Sequence, residues 1–393
     1  MSLLPRPEIK EVAACQHGGI DYGELETLGI TPQDILDFSA NLNPFGPPPG
    51  VMEALSNVSC ELSEAICHYP DSEASHLRRC LAEKLEIEAE NILVGSGSTE
   101  LIRLAALAYF GNGDWVLIIE PTFGEYQIAC QIAGASLIKQ RLSRENNFQL
   151  NIRETVQLVK QHRPKGIFIC NPNNPTGRYL SRADFEKILD ASVDCLVILD
   201  EAYISFVDNA WSSLDLALHS SARAMERSNL LILRSMTKDY GMAGLRLGYG
   251  VAMKESIATL RRICPPWNVN ALAQRAGIIA INEEEYCQRC QADIREAREY
   301  LVAELSNLGL PPLPSEANFF LVEVGDASWF RHELLKRKIL VRDCTSFGLP
   351  QYVRIAPRTL PECRILVAAI EEIRKERNGQ FFVSNTKADK ASG

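Results

Sequence analysis

Short, almost wholly apolar runs alternate with amphipathic stretches between about residues 91 and 252, and this alternation limits the possible folds more than any other feature of the sequence. Apolar runs of this length are typical of buried strands, and the stretches between them are typical of helices. Strands that alternate with helices predict an α/β domain with a mainly parallel sheet. The predicted strands are Trp115–Ile119, Gly166–Cys170, Cys195–Leu199, Leu230–Leu233 and Gly248–Ala252.

A second domain is predicted after Pro265 and Pro266, where the pattern changes. A long charged helix over Glu283–Asn307 introduces elements typical of a smaller α+β domain. These elements are a strand at Phe319–Val324, a helix near Trp329–Lys336, strands near Leu340–Arg342 and Tyr352–Ile355, and a last helix ending near Arg374. The expected division is a large domain over residues 46–282, a small domain formed by an N-terminal arm (1–45) with residues 283–378, and a flexible tail at 379–393.

Charge and composition exclude several classes of protein. The 393 residues include 50 acidic and 41 basic ones, and no basic stripe is present, so we expect no nucleic-acid partner. No run of about 18 apolar residues occurs, and the N-terminus is charged, which predicts a cytoplasmic protein without a membrane partner. Cys287 and Cys290 form an isolated CxxC in a charged helical stretch, so no metal site is predicted.

Polar and reactive residues follow several of the predicted strands. In open α/β sheets, ligands bind outside the carboxyl ends of the strands. The glycine-rich turn Gly95–Glu100 opens a predicted helix over Ser98–Phe110, with Ser98 or Thr99 as its N-cap. Free N–H groups and the helix dipole at such a turn favour a phosphate, although many such turns only cap a helix. Asn171–Gly177 reads as a rigid turn, but its asparagines can also donate to an aromatic hydroxyl oxygen.

Two further motifs carry charged groups. Asp200 follows an all-apolar strand, where a carboxylate is costly unless a cation or a hydrogen-bond donor meets it. A salt bridge to a nearby arginine is the structural alternative. The segment Arg234–Gly248 places hydroxyls, Lys238, glycines and Arg246 between two strands. A loop lysine is usually solvated, but its neighbours here favour a functional role.

The order of these motifs resembles a known superfamily. GSGSTE, NPNNPTG, DEAY and SMTK followed by AGLRLGY are similar to the motifs of fold-type-I pyridoxal 5'-phosphate (PLP) enzymes, the class I and II aminotransferase superfamily. The resemblance runs from about His17 to Arg374 and implies an aspartate-aminotransferase-like fold with PLP as the cofactor. Within the superfamily the sequence resembles histidinol-phosphate aminotransferases and, more closely, L-threonine-O-3-phosphate decarboxylases of cobalamin biosynthesis.

The resemblance implies roles for particular residues. Lys238, Asp200 and Tyr203 are the implied catalytic residues: Lys238 holds PLP as a Schiff base, and Asp200 faces the pyridine nitrogen. Tyr203 and Asn174 would bond the ring hydroxyl oxygen. The other implied cofactor contacts are Phe123 on the ring face, the phosphate contacts Ser98, Thr99, Ser235, Thr237 and Arg246, and Tyr69 from the neighbouring subunit of a homodimer.

The small domain is expected to supply the contacts to a small phosphorylated amino-acid substrate. Arg342 and Arg354 lie on predicted strands and match the superfamily's anion binders, although an exposed surface position is the usual place for arginine. Asn318 is a candidate contact to the substrate carboxylate. His17 is a candidate contact to the substrate phosphate, and a surface position near the terminus is its alternative.

Three segments favour the decarboxylase over the aminotransferase: His17–Gly19, Leu36–Pro44 and Pro266–Asn270. We therefore predict a PLP-dependent carboxy-lyase that converts L-threonine O-3-phosphate to (R)-1-amino-2-propanol O-2-phosphate and CO₂. The alternative is histidinol-phosphate aminotransferase of histidine biosynthesis, whose cofactor residues would be the same. An alternative of another class is a non-catalytic binding protein with this fold. No cysteine follows Cys363, so the cysteine-rich extension of some decarboxylases is not expected.

Overall fold

The computed structural model describes residues 4–10, 12, 15–56, 67–218 and 229–376, so the predicted tail at 379–393 lies outside the described residues. The strands in chain order are β1 Leu36–Asp37, β2 Ile92–Gly95, β3 Trp115–Glu120, β4 Ser136–Arg141, β5 Gly166–Cys170, β6 Leu196–Asp200, β7 Leu230–Ser235, β8 Gly248–Val251, β9 Phe320–Glu323, β10 Ile339–Leu340, β11 Arg342–Asp343 and β12 Tyr352–Ile355. Across these ranges, no helix is both long and apolar enough to cross a membrane.

The α-helices vary from one turn to seven. In chain order they are α1 Pro7–Lys10, α2 Tyr22–Leu28, α3 Pro49–Ser56, α4 Ser75–Leu85, α5 Ser98–Tyr109, α6 Glu125–Ala133, α7 Ile152–His162, α8 Arg182–Ala191, α9 Leu214–Leu218, α10 Lys254–Arg261, α11 Ala271–Ala280, α12 Glu284–Asn307, α13 Ala327–Lys336 and α14 Leu360–Glu376.

The chain forms two compact units. Unit 1 comprises the described residues of Met1–Cys15, Leu42–Ala292 and Ser315–Ala317, and unit 2 those of Gln16–Asn41, Asp293–Pro314 and Asn318 onward. The sequence-based boundaries at 45/46 and 282/283 differ from this division. The residues up to Cys15, together with 42–45 and 315–317, group with unit 1, and the chain enters unit 2 only at Asp293, within α12.

Unit 1 contains a seven-stranded sheet in the order β2-β8-β7-β6-β5-β3-β4. The pairs from β7 through β6, β5 and β3 to β4 are parallel, whereas β8 is antiparallel to both of its neighbours. The mainly parallel sheet was predicted. The edge strands β2 and β4 were not, because β4 has mixed polarity and β2 has only four residues.

The sheet is covered on both faces because successive side chains of a strand point to opposite sides. In β5, Ile167 and Ile169 belong to the core that also contains Phe185 of α8. Phe168 lies in the opposite core with Leu101 of α5. Strands buried on both faces have little room for polar side chains, so the polar residues that follow them collect at the carboxyl edge.

The start of α5 differs from the prediction. Neither Ser98 nor Thr99 is the N-cap, because Ser98 is already the first helical residue and Gly97 occupies the cap position. Gly97 has φ +77° and ψ 164°, a conformation that glycine adopts far more readily than any other residue. The hydroxyls of Ser98 and Thr99 are therefore not used as the N-cap.

Unit 2 contains a three-stranded antiparallel sheet in the order β11-β12-β9, packed with residues of α12, α13 and α14. The predicted single strand Leu340–Arg342 is wrong. β10 pairs in parallel with β1, while β11 pairs with β12, so the chain passes from one sheet to the other at Val341. An apolar run alone cannot reveal such a change of partner.

Candidate active site

A cavity of about 460 Å³, open to solvent, lies in unit 1 at the carboxyl ends of β5, β6 and β7. Ten of the eleven predicted cofactor residues line it: Ser98, Thr99, Phe123, Asn174, Asp200, Tyr203, Ser235, Thr237, Lys238 and Arg246. Four sequence motifs separated by up to about 150 residues thus meet in one place. Gly97, Cys170 and Ala202 complete the lining.

One corner of the cavity has the donors that a phosphate requires. No side chain among the described residues caps the start of α5, so its first N–H groups are available. A Cβ on Gly97 would lie 2.6 Å from Nη2 of Arg246, so glycine is needed for this close approach of the guanidinium. The hydroxyls of Ser235 and Thr237 lie 2.8 Å apart on the same lining. A helix N-terminus, hydroxyls and a guanidinium together fit a phosphate.

The floor of the cavity contains a buried carboxylate. Asp200 is 3% exposed; Tyr126 Oη donates to its Oδ2 at 2.7 Å, and the N–H of Ala202 donates to its Oδ1 at 3.0 Å. Burial raises the pKa of the Asp200 carboxyl, while the Tyr126 hydrogen bond, the Ala202 N–H and the charge of Lys238 act to lower it. A cationic ligand group here would favour the ionised carboxylate, so the site suits a protonated ring nitrogen.

Lys238 follows β7 and lines the same cavity. Its Nζ lies 5.8 Å from the centre of the Tyr203 ring. Tyr203 is 7% exposed and follows β6, so the lysine amine and the tyrosine are held by neighbouring strands of the sheet. A primary amine beside a cavity with a phosphate-binding corner can form an imine with an aldehyde group.

The three asparagines after β5 have different functions. Asn171 Oδ1 accepts from the N–H of Leu180 at 2.7 Å. Asn173 Nδ2 donates to Pro121 O and Thr176 Oγ1, both at 2.9 Å. These two hold the loop, as the turn interpretation predicts, and Asn174 is the one that lines the cavity.

The two adjacent acids at the end of β6 also differ. Glu201, 1% exposed, pairs with Arg234, whose Nη2 lies 3.0 Å from Glu201 Oε2. Burial raises the pKa of Glu201, and Arg234 opposes this effect. The structural alternative that was considered for Asp200, a salt bridge to arginine, therefore applies to its neighbour.

Tyr126 and Cys170 are site residues that the sequence analysis missed. Tyr126 is fully buried, stacks on Phe168 at 4.8 Å and contacts Phe123 edge-on at 5.7 Å. Burial raises the pKa of the Cys170 thiol to about 12 and that of Tyr126 well above its usual range. Both groups stay neutral beside Asp200. A tyrosine in a stretch between two predicted strands is most simply interpreted as core, although its position three residues after Phe123 was a usable signal.

Tyr69 and the predicted substrate residues are not part of this cavity lining. Tyr69 is 78% exposed and stacks on Trp267 at 4.2 Å. In unit 2, Arg342 and Arg354 lie directly opposite each other on β11 and β12. Arg342 Nη2 donates to Gln16 O and Ser346 Oγ, and Arg354 Nη2 donates to Ser39 O, all at 2.7 Å. Asn318, also in unit 2, is buried, and His17 is exposed.

Comparison with known proteins agrees with this arrangement. Residues 33–370 match the model of the family "Aminotransferase class I and II". Histidinol-phosphate aminotransferases from Moorella thermoacetica and Methanocaldococcus jannaschii are each 35% identical over 88% of this chain, covering 86% and 91% of those proteins. Among solved structures, histidinol-phosphate aminotransferase from Clostridium acetobutylicum has a TM-score of 0.76 and 27% identity, with 87% of this chain and all of that one covered. L-threonine-O-3-phosphate decarboxylase from Porphyromonas gingivalis has a TM-score of 0.72 and 28% identity, covering 86% and 99%.

The chain belongs to the class I and II aminotransferase family. This membership confirms the fold class that was predicted from the motifs, and PLP as the cofactor. The residues in the cavity fit that cofactor, since they combine a phosphate-binding corner, a buried carboxylate and a lysine amine.

The predicted decarboxylase activity is wrong, because relatives covering most of the chain at 35% identity are histidinol-phosphate aminotransferases. The predictions of a lyase and of a role in cobalamin biosynthesis are withdrawn with it. One of the segments that favoured the decarboxylase, Pro266–Asn270, has structural functions instead. Asn268 Nδ2 donates to Glu100 Oε2 at 2.7 Å, and Asn270 Oδ1 caps α11 through the N–H of Ala273 at 2.8 Å.

Proposed function

We propose that this enzyme transfers the amino group of L-histidinol phosphate to 2-oxoglutarate, giving the imidazole-bearing ketone phosphate and L-glutamate. The observation that carries the proposal is the 35% identity, over 88% of the chain, to histidinol-phosphate aminotransferases. The substrate is then a small phosphorylated amine, and the pathway is histidine biosynthesis.

Each cavity residue has a proposed role toward the cofactor. PLP, when bound, supplies an electron sink conjugated with the substrate Cα. Lys238 bonds the cofactor through Nζ, and this amine also takes and returns the Cα proton. Asp200 holds a proton on the ring nitrogen. The other proposed contacts are Tyr203 and Asn174 at the ring hydroxyl oxygen, Phe123 on the ring face, and Ser98, Thr99, Ser235, Thr237 and Arg246 at the phosphate.

The substrate anion is assigned to the paired arginines of unit 2. Arg342 and Arg354 are 8% and 4% exposed and lie opposite each other on adjacent strands. Like charges in this position repel each other, and burial weakens their hydration, so a bound anion stabilises the pair. Phosphate and carboxylate both match the guanidinium fork, which suits a site that binds histidinol phosphate and 2-oxoglutarate in turn.

Two further contacts are proposed in unit 2. Asn318 is 3% exposed, and its Oδ1 has no hydrogen-bond partner among the described residues. A substrate N–H is a suitable donor to it. His17 is exposed and remains a candidate contact to the substrate phosphate.

A half-reaction tests the proposal directly. The purified PLP-loaded enzyme is mixed with histidinol phosphate and no 2-oxo acid, and the ketone phosphate is measured. We expect one equivalent of ketone per active site, followed by return of the original absorbance when 2-oxoglutarate is added. Absence of ketone, with the cofactor fully bound, would contradict the proposal.

A homodimer with shared active sites is proposed from the position of Tyr69. The exposed Tyr69–Trp267 stack lies outside the cavity of its own chain, so Tyr69 is available to a second copy. Tyr69→Ala and Lys238→Ala are each expected to be nearly inactive alone. If their subunits exchange at random, about a quarter of the sites contain neither substitution, and that share of activity should return. No recovery in proven mixed dimers would exclude a contribution of Tyr69 across subunits.

A further inference from the structure

Asn43 lies in Leu36–Pro44, another segment that had favoured the decarboxylase, and its contacts point to a different function. Asn43 is 4% exposed. Its backbone N–H donates to Lys238 O at 2.8 Å, and its Nδ2 donates to Asp239 O at 3.0 Å. Its Oδ1 accepts from the N–H of Phe45 at 3.0 Å. Asn43 therefore bonds two successive carbonyls, beginning with that of Lys238.

Asn43 links its own segment to the loop that carries Lys238, and the backbones of these two segments are in close contact. Gly241 has φ +61°, and a Cβ there would lie 2.6 Å from the carbonyl carbon of Gly46. Tyr286 Oη, on α12, lies 3.1 Å from both Phe45 O and Gly46 O. The segment from Asn43 to Gly46 is thus held between the Lys238 loop and α12. We call this segment, residues 43–46, the clasp.

We propose that Asn43 is a positioning residue for Lys238, because its two hydrogen bonds fix the backbone from which the lysine amine reaches the cofactor. The proposal rests on the assignment of Lys238 as the residue that bonds PLP. A lysine side chain has a flexible four-carbon stem, so its amine is only as well placed as its backbone. Reaction between bound groups depends steeply on such placement, and a displacement of about 1 Å can cost on the order of 10²-fold in rate.

The test measures bond formation between the lysine and PLP, which does not depend on the identity of the substrate. PLP is added to the apoenzyme, samples are reduced with borohydride at timed intervals, and the labelled peptide is quantified. Asn43→Asp retains the oxygen that accepts from Phe45 but loses the donor to Asp239. Asn43→Ala loses both side-chain bonds. Asn282→Ala is the matched control, since Asn282 is an exposed asparagine of unit 1 whose Nδ2 donates to Ile278 O in the preceding helix turn.

We expect Asn43→Ala and Asn43→Asp to slow labelling of Lys238 and to lower kcat about tenfold, with KM changed less than about twofold. Tyr286→Phe loosens the clasp from the other side and should have a smaller effect in the same direction. If the Asn43 variants do not fold, the labelling rate and kcat of Tyr286→Phe test the proposal instead. The control should label at the normal rate.

A purely structural function for Asn43 predicts a different result. In that case the Asn43 variants, assayed well below their unfolding temperature, would label Lys238 and turn over at normal rates, and Tyr286→Phe would have no effect. Either result overturns the proposal. Lys238→Ala separates this outcome from failure of the underlying assignment, since labelling elsewhere in that variant would show that Lys238 is not the bonding residue.

Discussion

The two anion sites of the protein are built differently. In unit 1 the phosphate-binding corner combines a helix N-terminus, hydroxyls and the guanidinium of Arg246, all supplied by two short motifs. In unit 2 two buried arginines, Arg342 and Arg354, lie directly opposite each other on adjacent strands because of the register of those strands. On the proposed assignment, the first site holds the cofactor and the second selects the substrate. Variants in unit 1 should therefore change kcat for every substrate, and variants in unit 2 should change KM for particular ones.

Lys238→Ala should have the largest effect. Loss of the proposed bonding and proton-transfer amine is expected to lower kcat by on the order of 10⁴-fold or more for every amine donor. The borohydride-reducible bond between PLP and the protein should also disappear. A Lys238→Ala variant that keeps a borohydride-reducible bond between PLP and the protein would show that another lysine bonds the cofactor.

Asp200→Ala should have the second-largest effect. Loss of the carboxylate is expected to lower the pKa of the ring nitrogen by two or three units, which corresponds to about 3–4 kcal/mol. The variant should bind PLP and turn over roughly 10²–10³-fold more slowly, which single-turnover absorbance can measure. Near-normal turnover would mean that Asp200 is structural.

Arg354→Lys should weaken substrate binding and leave the later steps of the reaction largely unchanged. Lysine keeps the charge but loses the guanidinium fork, so we expect KM for histidinol phosphate to rise roughly 10–100-fold with kcat changed much less. Arg364→Lys, at an exposed position of α14, is the control. If both variants show the same KM as the native enzyme, the buried pair does not bind the substrate anion.

Tyr126→Phe should have the smallest effect of these four substitutions. As a variant of unit 1, it should change kcat rather than KM. Its hydroxyl lowers the pKa of Asp200, so its removal raises that pKa further. The ionised carboxylate is then lost at a higher pH, and the acid limb of the kcat profile should move to higher pH, with kcat at neutral pH reduced about tenfold. Tyr300→Phe, in unit 2, should leave the profile unchanged. An unshifted acid limb in Tyr126→Phe would separate this hydroxyl from catalysis.

More of the strands and site residues of unit 1 than of unit 2 could be predicted from the sequence, for a physical reason. Buried parallel strands appear as continuous apolar runs, and their polar ends are contiguous motifs, so β5, β6 and β7 and the residues after them could be predicted. The change of sheet at Val341 and the pairing of Arg342 with Arg354 depend on register between segments, which no local pattern contains. Tyr126 was not predicted as a site residue because its hydrogen-bond partner, Asp200, is 74 residues away in the sequence.

The reaction was mispredicted because segments that stabilise the scaffold were interpreted as substrate-specific. Asn268 and Asn270 hold the glycine-rich turn and α11, and Asn43 bonds the Lys238 loop. Such functions serve any reaction of the family. On the proposed assignment, the residues that distinguish two phosphorylated substrates lie in unit 2, where the sequence supplied only isolated candidates.

The most direct test of the proposed activity measures two reactions of one enzyme preparation. The PLP-loaded protein is given histidinol phosphate with 2-oxoglutarate, and separately L-threonine O-3-phosphate, and both glutamate and CO₂ are recorded in each mixture. We predict glutamate formation from the first pair, dependent on both substrates, and no CO₂ from the second. Release of CO₂ from threonine phosphate without any histidinol-phosphate-dependent glutamate would contradict the account.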